Sequence, residues 1–125
     1  MSDEPDHAPI RRRSSLLEAL ERLRPLHADL SLTDVLVLLA VAEHPCVGLS
    51  DLAFLLDLTT VTASRALRGF APPDFPEALP PALGLVEIRT SPRDNRSRTA
   101  VLTAAGRDLI ARLNDVVRTG VTLVS

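Results

Sequence analysis

The chain has 125 residues, 46% of them hydrophobic, with a formal net charge of −2, which suits one small domain with a real core and little area to spare. The longest apolar run, Val35 to Ala42, is far too short to cross a bilayer, and no charged-then-apolar signal segment opens the chain. The single Cys46 cannot form an intrachain disulfide, so the expected compartment is the reducing cytoplasm.

Residues 1–13 are polar, contain proline and end in Arg11-Arg12-Arg13. They read as a tail, either solubilising or a basic arm toward phosphates or a minor groove. Ser15 followed by Glu18 suggests a capping-box start, and Leu16, Leu20 and Leu23 recur at i, i+4, i+7. This first helix is expected to reach about His27, weakened near Pro25. Ser31 with Asp34 marks the next start, and the Leu32-to-Glu43 segment is apolar on nearly every side, as in a central buried helix. His44-Pro45 stops it.

Val47-Gly48 suits a short strand, and Ser50 an N-cap for a helix over Asp51–Leu56. Asp57-Leu58 forms a turn, and Thr59 caps a third helix ending near Gly69. Residues 71–83 hold Pro72, Pro73, Pro76, Pro80 and Pro81, a density that forbids a long helix. Leu85–Thr90 and Ser97–Leu102 then read as paired strands joined by a turn around Pro92-Arg93-Asp94-Asn95. Thr103 caps a last helix with an apolar stripe of Leu109, Leu113 and Val116, flanked by Ile110 and Val117. The domain is expected to span 14–120, with a short tail at 121–125.

All 14 basic residues are arginine. Net acidity argues against a polyanionic partner, but local charge matters more than the total. Residues 88–98 hold Arg89, Arg93, Arg96 and Arg98 against Asp94 alone. Arginine at a strand-turn tip fits a narrow minor groove, and Asp94 is placed to orient Arg96 by a bidentate pair. In the third helix, Ala63, Ala66, Leu67 and Phe70 are spaced to face the core. The opposite face carries Thr60, Val61, Thr62, Ser64, Arg65 and Arg68, a mixture suited to base edges and thymine methyls in a major groove. An ordinary solvated helix face and a solvated charged hairpin are the plainer readings. Together the elements predict a mainly α fold with a small β-hairpin, a winged helix-turn-helix that binds duplex DNA.

The order Leu52-Ala53…Leu58-Thr59…Ser64-Arg65…Leu85-Val86, then Asp94-x-Arg96…Leu102-Thr103-x-x-Gly106, resembles the MarR-type winged-helix transcription regulators over roughly residues 31–118. The resemblance implies a homodimer built through N- and C-terminal helices on a pseudo-palindromic site. It also implies recognition-helix contacts around Thr60–Arg65 and wing contacts at Asp94 and Arg96. Three features depart from it. The Pro-rich Ala71–Leu83 segment intervenes before the wing, as a looped-out insertion or as a changed footprint or partner surface. The terminal helices are abbreviated, so dimerisation falls to Leu16, Leu20, Leu23, Leu109, Leu113 and Val116. A small-molecule effector has few aromatics to meet beyond Phe54, Phe70 and Phe75.

Cys46 beside His44 lacks a resolving thiol, so it reads as structural, with a thiol sensor as a weaker idea. His7, His27 and His44 have no metal-ligand spacing, and the scattered glycines form no phosphate cradle. An enzyme, a metal site and a cofactor are not expected. The function indicated is a dimeric repressor that reads duplex DNA. Its rival is a winged-helix protein-interaction module without strong DNA binding.

Overall fold

A computed structural model of the chain describes residues 13–90 and 97–124. Helix α1 (Ser15–Leu23) passes into a 3-10 turn at Arg24–Leu26, followed by α2 (Leu32–Glu43), β1 (Val47–Gly48), α3 (Leu49–Leu56), α4 (Thr60–Phe70), β2 (Val86–Thr90), β3 (Arg98–Leu102) and α5 (Ala104–Arg118). The strands form one antiparallel sheet in the order β1-β3-β2.

The cap of α1 is Ser14, whose Oγ accepts from Leu17 N at 3.1 Å; the expected start at Ser15 is one residue late. Ser15 is instead a buried helical residue committed to the other end of the chain. Its N–H donates to Val121 O and its Oγ accepts from Val121 N, both at 2.9 Å. Its hydroxyl also lies 2.8 Å from Thr119 Oγ1. Thr119 spends its own proton on Val116 O at 2.7 Å, so Ser15 is the donor between the two hydroxyls. This clasp ties the end of α5 to the start of α1, and Val121 belongs to the domain rather than to a tail. Pro25 has no N–H to continue an α ladder, and α1 ends at Leu23 instead of His27.

Helix α2 has a full capping box, with Asp34 N donating to Ser31 Oγ and Ser31 N to Asp34 Oδ2, each at 3.0 Å. Val37, Leu38, Ala40 and Val41 are buried, whereas Leu32, Leu36 and Leu39 are exposed. The helix that looked buried all round is covered on one face only. Helix α3 follows β1 without a break, because Val47 and Gly48 are pinned opposite Ala100 and Thr99. Gly48 therefore occupies the N-cap without a side-chain bond, and Ser50, expected there, lies exposed inside the helix.

The turn between α3 and α4 rests on Asp57, left-handed at φ 56°, a conformation that aspartate tolerates better than most residues. Its N–H returns to the end of α3, and Leu58 N donates to Ala53 O at 2.8 Å. Thr59 Oγ1 then caps α4 by accepting from Thr62 N at 3.1 Å. The core gathers around Phe70, Leu38, Leu52, Val37, Val41 and Val86, all fully buried, where loss of water contact supplies the main stabilising term.

The Pro-rich segment does not loop out. Leu79 N donates to Arg68 O at 3.0 Å, Leu83 N to Gly69 O at 3.1 Å, Gly84 N to Ala71 O at 3.1 Å and Leu85 N to Phe70 O at 2.8 Å. These carbonyls belong to the last residues of α4 and its C-cap Ala71, where a helix terminus runs short of intrahelical donors; Arg68 O also accepts from Ala71 N at 3.3 Å. The segment satisfies them and delivers the chain to β2, whose Val86 to Thr90 pair in register with Leu102 to Arg98.

Candidate nucleic-acid interface

Helix α4 divides as its periodicity predicts. Ala63, Ala66, Leu67 and Phe70 are buried, and the opposite face is led by Thr60, Val61, Thr62 and Arg65, all exposed. Val61 is 64% exposed, an apolar group held in water on the first turn of a rigid helix. Thr59 Oγ1 donates to Thr62 Oγ1 at 3.0 Å, so the Thr62 hydroxyl is oriented while its own proton remains available outward. Arg65 makes no ion pair among the described residues. Ser64 and Arg68 are only half exposed, and Arg68 Nε is buried without a hydrogen-bond partner among the described residues. Arg68 thus lies closer to the protein body than Arg65.

On the hairpin, Arg89 and Arg98 fall on the two strands at positions facing Thr99 and Thr90 respectively. Arg89 is exposed and pairs with Glu87 at 3.1 Å. Arg98 donates from Nη1 to Oε1 of Glu77, a residue of the Pro-rich segment. That bond is the chief reason the Glu77 carboxyl lies below the ordinary carboxylate range; partial desolvation opposes it, and attraction from Arg98 and Arg68 adds to it. The same bond raises the Arg98 guanidinium. Arg93, Asp94 and Arg96, and the expected Asp94–Arg96 pair, lie outside the described residues. So do Arg11 and Arg12 of the N-terminal arm; Arg13 sits 3.5 Å from Glu21 of α1.

Of the residues assigned to dimerisation, Leu23, Leu109, Leu113 and Val116 are buried within the chain, where α1 and α5 pack together. Leu16 and Leu20 are exposed, as are Leu17 and Val117. Helical spacing located the apolar stripes but could not distinguish an intramolecular seam from an intermolecular one. Glu77 was not singled out by the sequence, because no local pattern connects it to an arginine 21 positions away. The three phenylalanines do not come together: Phe54 is 87% exposed on α3, Phe70 is in the core, and Phe75 is half-buried in the Pro-rich segment. Cys46 is exposed and left-handed at φ 61°. Among the described residues, no group of three His, Cys, Asp or Glu side chains is placed to hold a metal ion, and no helix is long and apolar enough to cross a membrane.

A capped helix pair around a tight turn, followed by a two-stranded hairpin against a short third strand, defines a winged helix-turn-helix. No family model and no curated protein matches the sequence. Solved structures do match the fold. RV1404 from Mycobacterium tuberculosis superposes with a TM-score of 0.62 at 18% identity, over 84% of this chain and 65% of that one. MarR does so at 0.58 and 20%, over 84% and 71%. MepR of S. aureus, in complex with DNA, gives 0.65 and 19%, over 83% and 76%. The chain therefore has the MarR-type winged-helix fold, and spans just under two thirds of the length of RV1404.

Proposed function

We propose that this chain is a sequence-specific, duplex-DNA-binding transcription regulator of the cytoplasm, a dimeric repressor of MarR type. The observation that carries the reading is the outward face of α4. Its first turn presents Thr60, Val61 and Thr62 on a helix fixed at both ends, with Arg65 one turn on and unpaired among the described residues. Arginine suits guanine O6 and N7, hydroxyls suit bases or phosphates, and a valine methyl suits thymine. The uncapped N–H groups at the start of the helix add a favourable field for phosphate. Arg89 and the arginines of the hairpin tip supply the wing, with Arg96 the main phosphate contact and Asp94 its orienting partner. That MepR has been seen with DNA on the same fold supports this use of the surface.

Dimerisation falls to the exposed apolar residues of the terminal helices, Leu16, Leu17 and Leu20 of α1 with Val117 of α5. The buried residues of the α1–α5 seam make that platform rigid. Two recognition helices would then enter successive major grooves about 34 Å apart. A small-molecule effector has an open cleft of about 280 Å³ between α1 and α2, lined by Leu20, Leu23, His27, Leu30 and Val35.

Selection of bound sites from random duplex tests the whole reading. Enrichment of a two-fold symmetric motif with half-sites one helical turn apart is expected. Recovery of no motif, with no salt-sensitive retention of duplex, rejects it.

A further inference from the structure

Glu77 pairs with an arginine that belongs to a different element. Arg98, at the loop end of the hairpin's ladder, donates to its carboxylate, and Arg68 of α4 adds a weaker attraction. The backbone carrying Glu77 is not free to follow either one. Two residues further on, Leu79 N is bonded to Arg68 O, and Leu83 N to Gly69 O. The carboxylate is thus placed by the end of α4, while its partner is the first residue of β3, paired across the ladder with Thr90 at the end of β2.

We propose that Glu77 is a positioning residue that couples the recognition helix to the loop end of the arginine hairpin's ladder and withholds Arg98 from DNA phosphate. The inference rests on the duplex-DNA reading given above. An ion pair this exposed, with side chains 49% and 29% accessible, adds little to folding. Its effect falls on binding. A guanidinium that stays paired with a carboxylate anchored on another segment displaces no counterion when duplex arrives, so it does not enter the salt dependence. Arg98 is paired in this way; Arg89, whose partner Glu87 lies on its own strand, is not. Held by Glu77, Arg98 ties the loop end of the β2–β3 ladder to the segment bonded to α4. Sequence discrimination gains from that fixed geometry, because base readout depends on register whereas phosphate attraction does not.

The test is Glu77→Gln, which removes the charge and keeps the side-chain length. On a duplex carrying the selected site and on random duplex, the slope of log K against log salt should steepen by about 0.9, the increment for one further phosphate contact. Random-duplex affinity should rise, and the ratio of specific to random affinity should fall. In an Arg98→Gln background the same substitution should leave the slope nearly unchanged. A merely structural role would lower both affinities together and leave the slope alone, and would overturn the inference. So would an equal slope change with and without Arg98. If the parent protein binds no duplex, the DNA reading and this inference fail together; if it binds and Glu77→Gln behaves like the parent, this inference fails alone.

Discussion

Gly106 lies so close to Leu85 that a Cβ added to it would stand 2.2 Å from the Leu85 carbonyl oxygen. That oxygen also accepts from Thr103 N at 3.0 Å, while Thr103 Oγ1 donates to Gly84 O at 2.7 Å and accepts from Gly106 N at 3.1 Å. The Leu-Thr-x-x-Gly pattern is therefore a docking device. It presses the first turn of α5 against the strand that leads out of the Pro-rich segment, and so sets where the hairpin stands relative to α4.

Gly106→Ala should destabilise the fold by roughly 2 kcal/mol, because the obstructing atom is backbone and a close-packed site cannot take a methyl without displacement. Alanine's better helix propensity offsets this by about 1 kcal/mol at most. Urea unfolding followed by circular dichroism measures the difference. A variant as stable as the parent would show that α5 is not held against Leu85.

Thr103→Ala removes both the cap of α5 and the bond to Gly84 O. A loss of about 1–2 kcal/mol is expected. The same substitution at exposed Thr60, which makes no cap, should stay within about 0.5 kcal/mol of the parent. Equal effects at the two positions would contradict the bonding described.

Ser15→Ala should open the clasp between the chain's two ends. Its hydroxyl serves Thr119 and Val121, so a cost of about 1 kcal/mol is expected. Faster amide exchange at Val121 should accompany it, with little change in α4. Unchanged exchange at Val121 would remove the clasp from the account.

Arg65→Ala should weaken binding to the selected duplex by roughly 1–3 kcal/mol while leaving random duplex nearly as it was. Arg96→Ala should instead weaken both alike and flatten the salt dependence. Gel shift over a salt series separates the two patterns. If Arg65→Ala retains specific affinity, α4 is not the reading element.

Glu77 gives a pH signature. Its folded carboxyl lies below the ordinary carboxylate value, held down first by the hydrogen bond from Arg98. A depressed acid contributes stability above its unfolded pKa and loses it as pH falls through the lower folded value. The brace should hold at neutral pH and release only in acid. A carboxyl-carbon titration of Glu77 by nuclear magnetic resonance should show the depression, and Arg98→Gln should abolish most of it. An unshifted Glu77 would mean that the pair does not form in solution.

Local chemistry wrote much of this fold into the chain. Ser31-x-x-Asp34, Thr59 and Thr103 each cap a helix within three residues of themselves, and the spacing of Ala63, Ala66, Leu67 and Phe70 separated the core face of α4 from the face assigned to DNA. The exposure of Thr60, Val61 and Arg65 was legible for that reason. The starts of α1 and α3 were misread because tertiary bonds moved them: Ser15 is drawn to Thr119 and Val121, and Gly48 is held by β3. Burial had the same origin. Leu16 and Leu23 share one stripe, yet Leu23 enters the core and Leu16 does not.

The sequence by itself determined the order of elements, the turn at Asp57, the outward chemistry of α4 and the arginine hairpin, because each depends on contacts between near neighbours. Only the tertiary structure decided how the Pro-rich segment is used. Its prolines excluded a helix but did not say where its remaining N–H groups would go. Leu79 N and Leu83 N go to carbonyls at the end of α4, while Phe75 N and Ala78 N turn back on the segment itself, and that placement delivers Glu77 to Arg98. Satisfying buried backbone groups is a requirement on the whole fold, and it made the segment a strut between α4 and the β2–β3 hairpin.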